Sequence, residues 1–172
     1  NKVSSLDSLL NSDLPEANIT FNKNFSIAYF TRCGFSEDAD VNGYCHIYKT
    51  EKDGDGWYEP EKVALFDDTI NVGQPFLTPD GKRLYFSSDA PIGYGGRDIY
   101  FANIDNNEIG FPINAGYTIN TKEDELFPTV DSKGNLYFSS NGRTGYGGLD
   151  IFKAEPENRG FDDAEHMPFP IN

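Results

Sequence analysis

The stretch IGYGGRDIY (residues 92–100) returns 52 positions later, almost unchanged, as TGYGGLDIF (residues 144–152). A phosphate-binding loop places its glycines between a strand and a helix, with a spacing such as G-x-G-x-x-G, and neither copy has that spacing. In both copies an aspartate and then apolar and aromatic residues follow the glycines, without helical periodicity. The pattern therefore predicts a glycine-rich turn between two strands, in a unit that is repeated.

The repeat extends well beyond the glycines. QPFLTPDGKRLYFSSD (residues 74–89) aligns with LFPTVDSKGNLYFSSN (residues 126–141), and ITFNKNFSIAYFTRC with HIYKT gives a third copy upstream. Each copy ends with a Gly-aromatic pair followed by an Ile-Asn pair, at Gly56-Trp57 and Ile70-Asn71, at Gly110-Phe111 and Ile119-Asn120, and at Gly160-Phe161 and Ile171-Asn172. The sequence therefore predicts three units, approximately residues 14–71, 72–120 and 121–172.

The content of each unit predicts the fold class. The apolar segments are short, rich in aromatic and β-branched residues, and separated by Pro-Asp-Gly, Gly-Tyr-Gly-Gly and Asp/Asn-rich turns. Units of about 40 to 55 residues with about four short strands are typical of β-propeller blades. We expect an all-β chain of three four-stranded blades, with helical periodicity only in SSLDSLLNS (residues 4–12). Because propellers have about four to eight blades, we expect an excerpt of a larger propeller, or a ring that a second copy completes.

The charge of the chain limits its partners. There are 28 acidic and 14 basic residues, which give a formal net charge of -14. Such a charge repels nucleic-acid backbones and anionic lipid surfaces. No apolar run approaches the roughly 20 residues that a membrane-spanning helix needs. We therefore expect no nucleic-acid partner and no direct membrane insertion.

The residues that usually carry catalysis are few. The chain has two histidines, His46 and His166, and neither a Gly-x-Ser-x-Gly nor an H-E-x-x-H motif. In KDGDGWYE (residues 52–59), Asp53 and Asp55 are spaced like calcium-loop ligands, but Tyr58 and Ala64 stand where that loop needs glycine and glutamate. We therefore predict a hairpin turn there, and neither catalytic residues, nor a cofactor, nor a metal site.

The residues of the glycine turns are the candidate sites. Asp98 and Asp150 stand at strand starts, where a carboxylate accepts backbone N–H groups and fixes a turn, so we predict a structural role for them. The same role is predicted for the turn glycines Gly93, Gly95, Gly96, Gly145, Gly147 and Gly148. Tyr94 and Tyr146 lie among these glycines without a strand neighbour to bury them, and they are the candidate partner-binding residues.

The two cysteines are predicted to form a disulfide. Superposing the units places Cys33 on Asp89 and Cys45 on Arg97, two positions that flank the same turn. Facing residues of paired strands bring their Cβ atoms to about 4.5 to 5.5 Å, near the reach of a disulfide. Such a bond forms in an oxidising compartment such as the periplasm and not in the cytosol.

The combined motifs resemble a known family. TPDGKRLYFSSD, GYGGRDIY, INTKEDELFPTV, GNLYFSSNG and GYGGLDIF are similar to TolB-like, WD-like propeller repeats, above all those of OmpA-family proteins of Bacteroidetes-type bacteria, including PorE-like components associated with type IX secretion. The resemblance implies a periplasmic, outer-membrane-associated scaffold that binds other cell-envelope proteins and is not an enzyme. Peptidoglycan would be bound only through a separate OmpA-like domain that these residues do not contain. The first unit departs from the pattern, with His46 where the others have Asp98 and Asp150.

Two other functions remain open from the sequence. The chain could be a glycan-binding propeller that uses the same loop aromatics, Tyr94 and Tyr146. It could also be the substrate-gating propeller of a peptidase whose catalytic domain lies outside these residues. The three hypotheses differ in the domain that should accompany the propeller.

Overall fold

The computed structural model describes residues 10, 12–34, 43–158 and 160–172, which form sixteen strands and no helix. The chain is therefore all-β in these ranges. Most of the segment 4–12, for which the sequence shows helical periodicity, lies outside them.

Fourteen of these strands form three successive antiparallel sheets of five, five and four strands, and the remaining two form a separate two-stranded sheet. The first sheet contains β1 (Glu16–Phe21), β2 (Ile27–Cys33), β3 (Cys45–Asp53), β4 (Gly56–Trp57) and β5 (Glu61–Lys62). The second contains β6 (Val72–Leu77), β7 (Arg83–Ser88), β8 (Asp98–Asp105), β9 (Glu108–Ile109) and β10 (Ile113–Asn114). The third contains β11 (Glu125–Val130), β12 (Leu136–Ser140), β13 (Asp150–Ala154) and β16 (Glu165–His166), and β14 (Pro156–Glu157) pairs with β15 (Gly160–Phe161) beside it.

The second and third strands of the sheets pair in one common register. The tyrosine of the second strand faces the third strand at Lys49 in the first sheet, Phe101 in the second and Lys153 in the third. Because a slip of one residue would exchange the two faces of a strand, this agreement means that corresponding side chains point to corresponding sides.

The first strand of each sheet carries a bulge. The bulges contain Asn18, Gln74 and Phe127, and all three residues have positive φ angles, between 49° and 56°. Gln74 thus corresponds to Phe127. The ungapped sequence alignment instead pairs Gln74 with Leu126. The reason is that the turn after the third sheet's first strand is one residue shorter than in the second sheet.

The core lies between neighbouring sheets. Tyr85 and Phe86 are adjacent on β7, and both are buried, but they point in opposite directions because side chains alternate along a strand. Phe86 stacks on Tyr100 and belongs to the apolar cluster between the first and second sheets. Tyr85 belongs to the cluster between the second and third sheets, with Phe138. Each sheet therefore needs a neighbour on both faces to be fully buried.

Candidate functional site

The glycine turn of the second sheet is held by Asp98. Its Oδ2 atom accepts a hydrogen bond from the Tyr94 N–H at 2.6 Å and another from the Asn114 amide at 2.7 Å. A Cβ atom on Gly93 would lie 2.4 Å from this oxygen, so the tight approach requires glycine. The turn therefore depends both on the Asp98 carboxylate and on the absence of a side chain at Gly93.

The same turn packs against the connection that leads into the third sheet. The Gly96 N–H donates to the Glu123 carbonyl at 3.0 Å, and the Arg97 N–H donates to Asp124 Oδ1 at 2.9 Å. A Cβ atom on Gly95 would lie 2.2 Å from the backbone of Lys122. The second and third glycines of this turn thus allow two sheets to approach each other.

Beneath this turn lie two buried polar atoms. Asp98 Oδ1 and the Tyr100 hydroxyl are buried and have no hydrogen-bond partner within the described ranges. Burial raises the pKa of the Tyr100 hydroxyl, the Asn114 side chain opposes this change, and the nearby Asp98 carboxylate adds to it.

In the glycine turn of the third sheet the aspartate again accepts a backbone N–H of its own turn, but the donor lies one residue later and the second partner is a histidine. Asp150 Oδ2 accepts the Gly147 N–H at 3.1 Å, and Oδ1 lies 3.5 Å from His166 Nε2. The Gly147 N–H lowers the pKa of Asp150, assisted by the Tyr146 N–H and by His166, while burial opposes them. Cβ atoms on Gly147 or Gly148 would meet nothing within 4 Å. Among the residues that the structure describes, no sheet covers this turn.

Tyr94 and Tyr146 are the exposed aromatics of the two turns. Both side chains are more than half exposed, and the Tyr146 ring packs edge-on against His166 at 5.0 Å between centroids. The structure places them at equivalent positions of adjacent sheets, which leaves them accessible to a partner.

The first sheet has a disulfide near the position that the glycine turn occupies in the other two sheets. Cys33 and Cys45 face each other across β2 and β3, and the structure joins them by a disulfide. His46 stands where the other sheets have aspartate, near Lys62 and Asp68. Burial lowers the pKa of His46, and Lys62 lowers it further, while Asp68 opposes both. A covalent bond thus holds the strands that a carboxylate-capped turn joins in the other sheets.

The asparagine of each closing Ile-Asn pair has a function that the sequence did not reveal. Asn120 accepts the Ile99 N–H at 2.8 Å and donates to the Ile99 carbonyl at 3.0 Å. Asn172 makes the same two bonds to Ile151, at 2.8 and 2.9 Å. Asn71 accepts the Cys45 N–H at 2.9 Å. The end of each repeat therefore binds the start of its own third strand.

Within the described ranges, no three His, Cys, Asp or Glu side chains converge as a metal site would require. The segment with Asp53 and Asp55 is a hairpin between β3 and β4, in which Asp53 pairs with Gly56. The same ranges contain no helix with the length and apolarity to cross a membrane.

Comparison with known proteins shows a likeness of fold alone. No protein-family profile and no curated protein matches the sequence. Among solved structures, a Mycobacterium tuberculosis puromycin-hydrolyzing peptidase is similar over 90% of this chain, with a TM-score of 0.56 and 15% identity. An α-L-arabinofuranosidase from Lactobacillus brevis is similar over 82%, with a TM-score of 0.55 and 14% identity. The match spans 23% of the peptidase chain and 50% of the arabinofuranosidase chain.

Proposed function

We propose that the three sheets are three successive blades of a β-propeller, and that this partial propeller is a non-enzymatic scaffold for other proteins of the cell envelope. The common strand register and the apolar clusters between neighbouring sheets support the blade assignment. The blades correspond approximately to residues 14–71, 72–120 and 121–172.

One observation carries the proposal: the last face of the third sheet is apolar and uncovered. Ile99 of the second sheet and Ile119 of the turn that follows β10 have 0% exposed surface, because the third sheet packs on them. Their counterparts Ile151 and Ile171 are 36% and 54% exposed. The residue types are identical, so the difference arises because the third sheet covers the first pair, whereas no described residues form a sheet over the second pair. Such a face suits the first strand of another sheet of the same kind.

The hydrogen-bonding groups at this face indicate what the partner must supply. In the second sheet, the turn N–H groups of Gly96 and Arg97 are bound by a carbonyl and a carboxylate from the strand connection of the next sheet. The equivalent turn in the third sheet, around Gly148, is open. A matching partner therefore offers an acidic connection followed by an extended apolar strand.

The disulfide supports an extracytoplasmic location. Cys33 and Cys45 are bonded in the structure, and such bonds persist in oxidising compartments. The disulfide is consistent with the proposed location of the scaffold, which is the periplasm at the outer membrane.

Site-specific photocrosslinking in the native host tests the proposal. A photoreactive residue at Leu149, 49% exposed at the open face, should crosslink efficiently to a segment or protein that carries the same repeat. The matched control is Tyr58, 56% exposed on the first sheet. Mass spectrometry of the product distinguishes a further blade of the same polypeptide from a separate partner. Equal, weak crosslinking at both positions would contradict the proposal.

A second candidate, a propeller attached to a catalytic domain, is favoured by the likeness of fold to a peptidase over most of this chain. Under this hypothesis the Leu149 product would contain a hydrolase domain, and the scaffold proposal predicts none. The same experiment therefore separates the two.

A further inference from the structure

A cleft lies between the second and third sheets, at the end of β7 away from the glycine turn. Its volume is about 800 Å³, within the range of small-molecule sites in proteins. Tyr85, Phe101 and Phe161 form its apolar side, and the polar side chains of Arg83 and Asn103 also line it. This region is independent of the open face of the third sheet.

Arg83 is held in one orientation by its neighbours. Its Nε donates to Asn103 Oδ1 at 3.2 Å, and its Nη1 donates to the Tyr85 hydroxyl at 3.0 Å. The guanidinium carbon lies 4.4 Å from the centre of the Phe101 ring. The strand register explains this arrangement, because Arg83 faces Asn103 and Tyr85 faces Phe101 across β7 and β8. The guanidinium is thus pre-organised before any ligand arrives.

The partners of Arg83 are all neutral, although the chain carries a net charge of -14. Among the described residues, no carboxylate oxygen lies within ion-pair distance of its guanidinium. Arg32, by contrast, binds Glu16 at 2.8 Å. An arginine that is oriented but not neutralised is suited to bind an anion, for which its fork of donors is shaped.

The repeat shows that the blade does not need this arginine. The equivalent position holds Ile27 in the first sheet and Asn135 in the third. Ile27 packs against the apolar cluster of its interface, and Asn135 caps its own turn through Asp131. The cation therefore belongs to the cleft and not to the repeat.

We propose that this cleft binds a carboxylate group carried on an apolar body, with the carboxylate on Arg83 and the apolar part against Phe101 and Phe161. Asp80, Asp131 and Lys82 also line the cleft, so its two cations are balanced by two carboxylates. A lining without net positive charge disfavours a doubly charged anion such as phosphate more than a singly charged carboxylate. The carboxylate could come from a peptide C-terminus or from a small organic acid, which share this chemistry.

Calorimetric titration with N-acetylphenylalanine tests the proposal. The free acid should bind, and N-acetylphenylalaninamide, which has the same apolar body without the charge, should bind at least about tenfold more weakly. Inorganic phosphate should also bind more weakly than the acid. Equal binding of the acid and the amide would overturn the proposal.

Variants locate the binding. Arg83→Gln should weaken binding of the acid at least about tenfold, while Lys133→Gln, which removes an exposed charge outside the cleft lining, should change it less than about twofold. Arg83→Lys keeps the charge without the planar fork and should give an intermediate affinity, which keeps the test valid if the glutamine variant folds poorly. Unchanged affinity in a folded Arg83→Gln protein would contradict the assignment.

Titration with a peptide identifies the source of the carboxylate. A short peptide that ends in phenylalanine with a free carboxylate, compared with its amidated form, should bind more tightly than the single amino acid if the ligand is a chain terminus. If the peptide is excluded while the amino acid binds, the ligand is a small organic acid.

Discussion

The glycine turns at residues 93–98 and 145–150 have nearly the same sequence, yet one is covered by a neighbouring sheet and the other is open. In both, the aspartate accepts a backbone N–H of its own turn, through the same carboxylate atom. The covered turn adds hydrogen bonds to the connection before β11, and the open turn has no such partner in the described ranges. Local sequence thus determines the shape of a turn, and the neighbouring sheet determines its burial.

The two turns should differ most in the loss of stability caused by a glycine-to-alanine substitution, which adds one methyl group. Gly95→Ala places a Cβ atom against the backbone of Lys122 and should destabilise the fold by about 3 kcal/mol, while Gly147→Ala should change the free energy of unfolding by less than about 0.5 kcal/mol. Neither glycine has a positive φ angle, so backbone strain does not enter. Urea denaturation measures both. If Gly147→Ala becomes costly in a longer version of the protein, a further sheet covers the open turn there.

The closing asparagines offer a second matched pair. Asn120 is buried and satisfies both backbone groups of Ile99, so Asn120→Ala should cost about 2 kcal/mol. Asn172→Ala removes the same bonds at the open face, where water replaces them, and should cost about 0.5 kcal/mol. Thermal unfolding of the two variants would show this ratio. Equal losses of stability would mean that the asparagine hydrogen bonds stabilise the fold independently of burial.

Asp98→Asn should lower stability by about 1 to 2 kcal/mol, because the charged acceptor of the Tyr94 N–H is lost in a buried site. The exposed Asp105→Asn serves as the control for the change in charge. An unchanged melting temperature combined with the loss of a measured activity would refute the structural role of Asp98.

The smallest effect concerns pH. The folded-state pKa of Asp150 is lowered, so its contribution to stability is complete above the unfolded-state pKa near 3.9 and is lost as the pH falls below it. Asp150→Asn should therefore reduce the slope of stability against pH below about pH 4. Denaturation curves between pH 3 and pH 6 would measure this slope, with the hairpin variant Asp55→Asn as the control.

The all-β class could be predicted from the sequence because the repeat is visible as apolar segments of strand length separated by turn residues. The alternation of side chains along a strand requires that at least one of Tyr85 and Phe86 faces a core, and the structure buries both, one on each face of the sheet. The position of the bulges was not predictable, since the ungapped alignment of Gln74 with Leu126 hides the shorter turn. The cleft around Arg83 was missed because it forms between two sheets, and no local pattern marks such a site.

The bulges also have a consequence for biosynthesis. The Gln74 N–H donates to Thr31 Oγ1 at 2.9 Å, and the Phe127 N–H donates to Gln74 Oε1 at 2.9 Å. At each step the acceptor belongs to the sheet that leaves the ribosome earlier. The hydrogen-bond acceptor for each new first strand is therefore synthesised before that strand. The sheets can assemble in the direction of translation, each one packing on the sheet that precedes it.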